Sequence, residues 1–150
     1  MSALLLSHAL ATWGMVAVIW FVQVVHYPLF AAVGLDAFVR YEALHTSRIS
    51  LIVMPLMIAE LAGAAALALS PEPLPFAGRT ERVVGLGLVL AIWASTFLLS
   101  VPEHGRLAGG FDADAHRRLV ATNWVRTVLW SARGVLVTGW LWRSLEGAQP

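Results

Sequence analysis

The chain has 150 residues, 59% of them hydrophobic and 13% charged, with a mean hydropathy of +0.74. Soluble domains carry about a quarter charged residues, so this composition belongs to a membrane protein. A net charge of +1 is too small to argue for nucleic acid, and the absence of cysteine and lysine excludes disulfides, iron–sulfur clusters, thiolate metal sites and a Schiff-base lysine.

The first apolar run, residues 3–30, is too long for the apolar core of a signal peptide and has no Arg or Lys before it. It is expected to be a retained first span, with His8 wet near its beginning. Thr12, Gln23 and His26 share a face deeper in, flanked by Trp20 and Tyr27, and Pro28 ends or kinks the helix. The connection over residues 34–47 contains Glu42 and His45, an E-x-x-H pair on one helical face. Two such pairs with two further glutamates build a di-iron site; a single pair reads as a solvated one.

The second span, residues 49–69, holds Pro55 and Glu60. A proline-rich turn over residues 70–78 leads to the third span, residues 83–101, where Trp93, Thr96 and Ser100 share a face and Pro102 is expected to stop the helix. The fourth span, residues 119–142, places Asn123, Arg126, Trp130 and Arg133 in one stripe. An arginine near mid-membrane costs about 2.5–3.5 kcal/mol even on lenient scales, so this stripe must face something polar. At 1.5 Å of rise per residue Glu60 falls near the midplane and the two arginines bracket it in depth, making Glu60 the counter-ion expected for Arg126, Arg133 or both. The tail from Arg143 onward reads as disordered or interfacial.

The expected architecture is therefore an all-α integral membrane four-helix bundle forming one domain over residues 1–150. Arg40, Arg48, Arg106, Arg117 and Arg118 lie on the side of the first and third connections, against Arg79, Arg82 and Arg143 opposite. This bias favours those connections being cytoplasmic and both termini outside, in a bacterial-type inner membrane. His26, His45, His104 and His116 gather on the same arginine-rich side, close to Glu42, Asn123 and Arg126.

Histidines projecting from neighbouring helices suit axial haem ligation, and arginines suit haem propionates. The cofactor-binding set expected on that basis is His26, Tyr27, His104, Asn123 and Arg126. The alternative is a single Fe, Cu or Zn ion held by His26, Glu42, His45 and His104. No Ser-His-Asp arrangement, P-loop or G-x-G-x-x-G is present.

The order Trp20-Phe21, Tyr27 to Phe30, Phe38-x-x-Tyr41-Glu42 and Arg48 to Ile58, followed by His104, Arg117, Arg118 and Asn123, resembles the bacterial four-helix protoporphyrinogen oxidases. The resemblance implies a four-helix fold, a link to haem or porphyrin, and oxidation of a porphyrinogen in the membrane. The chain departs from that family in having no lysine, and His8 is a poor positional match for the family's first-span histidine. Three functions follow as expectations: a haem- or porphyrin-associated redox protein, a non-haem metal enzyme acting on a lipidic substrate, or a non-catalytic transporter or accessory subunit. The bilayer is the expected partner, with a homodimer or larger membrane complex possible and no nucleic acid.

Overall fold

The computed structural model describes residues 3–147, and in it the chain forms four helical columns. The first is α1 (Ala3–Phe21), a π-helical turn (Val22–His26) and a 3-10 segment (Pro28–Ala32). The second is the single helix α2 (Leu35–Leu69), so the segment read as a connection over residues 34–47 is its first three turns, begun at Gly34. The third is α3 (Arg79–Ser95), a π-helical turn (Thr96–Ser100) and α4 (Val101–Leu107). The fourth is α5 (Ala113–Glu146), which carries the expected C-terminal tail on as helix beyond Arg143; residues 148–150 lie outside the described residues. No strand occurs among the described residues, only an isolated bridge between Leu74 and Ala77 in the proline-rich turn.

The prolines act differently from expectation. Each π turn closes on the residue just before a proline: Tyr27 N–H reaches Val22 O, and Val101 N–H reaches Thr96. A proline ring collides with the carbonyl four residues back in a regular helix, and the wider turn moves that carbonyl aside. Pro102 therefore opens α4 instead of stopping the column. Pro55 sits inside α2, where the exposed Leu51 carries the carbonyl that loses its donor.

Close backbone contacts run α1–α2, α2–α3, α3–α5 and α5–α1, with none across the diagonals α1–α3 or α2–α5. Successive columns alternate in direction, giving an up-down-up-down square. Three apolar layers fill it. Leu5, Leu67, Phe76 and Trp140 close one end. Met15, Ile19, Met57, Ile92 and Trp130 form the middle, and Val22, Phe30, Phe38, Leu107 and Leu119 close the other end. Polar groups occupy the levels between them, including His8, Thr12, Gln23, Glu42, Glu60, Asn123, Arg126 and Arg133, all buried.

The outside is apolar instead. Leu10, Leu51, Leu98, Val128 and Val135 are each more than 60% exposed. Three columns, Ala3–Ala32, Leu35–Leu69 and Arg79–Leu107, are long and apolar enough to cross a membrane. The column expected as a fourth span is long enough but does not reach that apolarity, because one whole face of α5 carries Asn123, Arg126, Thr127, Arg133 and Thr138. Asp112 begins α5 as its cap, accepting from the N–H groups of Asp114 (2.8 Å) and Ala115 (3.0 Å). These bonds, that from Ala115 foremost, hold its carboxyl below the ordinary value.

Candidate functional site

The π turn of the first column, the first turns of α2 and the short helix α4 bring one cluster together at the arginine-rich end. Glu42 Oε1 lies 2.6 Å from His104 Nδ1, and Tyr27 Oη lies 2.9 Å from His104 Nε2. A carboxylate at Nδ1 sets the tautomer: Nδ1 carries the hydrogen and donates to Glu42, leaving Nε2 to accept from the Tyr27 hydroxyl. His26 Nε2 and His45 Nδ1 form a second pair at 2.8 Å. The two pairs meet where the His45 and His104 rings stack, with centroids 5.3 Å apart. His116 reaches the Tyr27 carbonyl from α5 at 2.8 Å. Phe30, fully buried, packs edge-on against His26, Tyr27, His45 and His104 and locks the rings in place.

Every histidine expected on this side is thus found there. The E-x-x-H pair is buried, not solvated: Glu42 is wholly inaccessible and His45 nearly so. The expected ligand sets are another matter. The four metal candidates His26, Glu42, His45 and His104 are neighbours, yet they face each other as two hydrogen-bonded pairs, with Glu42 Oε2 left without a partner. Among the described residues no three His or carboxylate side chains converge as a metal site. Haem ligation by His104 does not fit either, since both of its ring nitrogens are already engaged.

One level deeper, α5 meets the two π turns. Asn123 Nδ2 donates to Gln23 Oε1 (2.9 Å), while Arg126 Nη1 donates to Asn123 Oδ1 and to Ser100 Oγ, both at 3.2 Å. The Arg126 guanidinium lies over the Trp130 ring, 5.3 Å from its centroid, and close to the Tyr27 hydroxyl. Its Nε has no partner.

Deeper still is the Glu60 centre. Thr12 Oγ1 and Trp130 Nε1 each donate to Glu60 at 2.9 Å, and Arg133 Nε donates at 3.4 Å. Arg133 extends on to His8 Nε2. Glu60 therefore pairs with Arg133 and not, as also expected, with Arg126; no ion pair among the described residues includes Arg126. His8 is buried beneath this centre, against the expectation of a wet interfacial residue, because Gly63 of α2 leaves it room. Its i, i+4 spacing to Thr12 was the sequence signal for that inward position.

A cavity of about 420 Å³ lies between α2 and the third column, floored by α1 and reaching Arg126 of α5. Its walls are largely apolar (Met15, Val53, Met57, Trp93, Phe97), and its polar end presents Tyr27, Ser100, His104 and Arg126. Met54, Phe97 and Val101, all substantially exposed, flank its mouth on the bundle's flank. This is the size range of small-molecule sites. Protein-family models, curated proteins and solved structures each give no match to this chain.

Proposed function

We propose that this chain is a multi-pass membrane protein that admits an amphipathic, lipid-phase substrate sideways between α2 and α3 and removes a proton from its polar head. Membrane residence is supported by the inverted pattern of the bundle, with charged and amide side chains inside and Leu, Val and Phe outside. On this reading α5 crosses with the rest, its polar face turned inward. The bacterial inner membrane, with both termini outside, remains the placement that the arginine bias favours.

The observation that carries the chemistry is the Glu42–His104–Tyr27 chain ending in the cavity. A proton leaving the substrate head passes to Tyr27 Oη as the Tyr27 proton moves to His104 Nε2. The imidazolium so formed is held by the Glu42 carboxylate at Nδ1, the same division of labour as in a carboxylate–histidine catalytic pair. Burial of Glu42 keeps water from competing for that bond. Porphyrins, with a broad apolar face and carboxylate edges, belong to this substrate class, and the resemblance to protoporphyrinogen oxidases makes them the first to try.

The test begins with small molecules that copurify in mild detergent, identified by mass spectrometry. Wild type is expected to retain an amphipathic molecule that Ser50→Trp, which fills the cavity, loses. Tyr27→Phe should retain the molecule but stop its conversion. Equal retention by Ser50→Trp would remove the cavity from the function.

A further inference from the structure

Three arginines are buried: Arg82 donates to the Leu67 and Ser70 carbonyls beside the proline-rich turn, and the two on α5 are not equivalent. Arg133 has a carboxylate, Glu60, in contact on a facing helix. Arg126 is 6% exposed and has none: its protein partners are a hydroxyl, an amide oxygen and an indole face. Neutral groups satisfy hydrogens without cancelling charge, and an uncompensated guanidinium in a low-dielectric interior is costly. Glu42, the anion at the cluster, is paired through Oε1 with His104, and no ion pair among the described residues joins it to Arg126. Yet Arg126 is held firmly, with Asn123 fixed by Gln23 and Ser100 supplied by a π turn. A side chain so positioned, with an unpartnered Nε and a place in the cavity lining, is a binding group waiting for its counter-ion.

Resting on the cavity reading above, we infer that the cavity's ligand carries an oxyanion head that pairs with Arg126, while an apolar tail runs toward Met15, Met57 and Trp93. The head is supplied by the lipid phase as a carboxylate or as a phosphate; both offer the planar or tripodal oxygens that a guanidinium fork accepts. Tyr27 lies beside the same spot, so the proton it takes comes from a group of the ligand other than the oxyanion held at Arg126. Substrate entry and proton removal are then two uses of one polar end.

Binding of long-chain carboxylates, their methyl esters and alkyl phosphates of matched tail lengths, measured by native mass spectrometry in a neutral maltoside detergent, tests this. Wild type is expected to favour at least one oxyanion series over the ester by tenfold or more, with the better series identifying the head. Arg126→Gln should abolish the preference while leaving ester binding in place, Arg126→Lys should retain part of it, and Arg48→Gln on the opposite face of α2 should change nothing. Equal binding of ester and oxyanions by wild type overturns the inference and leaves the cavity reading standing. The same holds for a preference that survives in Arg126→Gln. Binding of none of the three series overturns both. Should Arg126→Gln fail to fold, the wild-type preference and its loss in Ser50→Trp decide alone.

Discussion

The Glu60 centre and the His104 cluster are built from the same residue types, yet they differ in what each leaves open. Around Glu60, both carboxylate oxygens are bonded and the counter-charge is in contact; Arg133 Nη1 and His8 Nδ1 lack partners, but no side chain of this centre lines the cavity. Around His104 the polar chain ends at a cavity wall, and the neighbouring cation lacks an anion. Closed charge of the first kind joins α2 to α5 across a diagonal that the backbones do not bridge. Open charge of the second kind can meet a ligand. Buried ionisable residues are thus not one class, and a counter-charge in contact is what separates a brace from a site.

Substitutions can break this contrast. The largest expected effect is Glu60→Gln, which strands the Arg133 charge. A loss of about 3–5 kcal/mol is expected, read as a fall in melting temperature in detergent. Gly63→Ala comes next, because a Cβ there would stand 2.6 Å from His8 Nδ1. Forcing His8 aside should cost about 1–3 kcal/mol, with the fall again read by thermal melting. Glu42→Gln should cost only about 1 kcal/mol, since the glutamine oxygen can still accept from His104 Nδ1 and only the charge is lost, while conversion of bound substrate drops by tenfold or more. If Glu42→Gln destabilises as much as Glu60→Gln, the distinction between brace and site fails.

The smallest effect belongs to Asp112, which caps α5 outside both regions. Its carboxyl is held below the ordinary value, so the cap contributes fully above the usual carboxylate range and fades as pH falls through the lowered value. Asp112→Ala should therefore melt slightly below wild type at neutral pH, and the gap should close on acidification. A gap that widens in acid would show that the cap is not the charged carboxylate.

Much of this was legible in the chain. Four apolar stretches, the inward stripe of Asn123, Arg126 and Arg133, and the histidines on one side are all matters of composition and periodicity, and the helices follow them. The prolines misled, because a π turn before Pro102 lets the column continue, and a wider turn leaves no mark in hydropathy. His8 misled because its burial depends on Gly63, a residue 55 positions away on another helix. The pairing of His26 with His45 and of Glu42 with His104 depended on ring orientations that spacing along a helix does not specify.

By itself the sequence determined that the protein is helical, that its exterior is apolar and that its charges must face inward, because burial cost acts on each helix separately and periodicity records which face bears it. Which inward charges cancel and which stay open was decided only by the tertiary structure. The columns surround one another in a fixed order and register, so Glu60 meets Arg133 across the diagonal while Arg126, about two turns away on the same helix at 3.6 residues per turn, meets only neutral groups and a cavity.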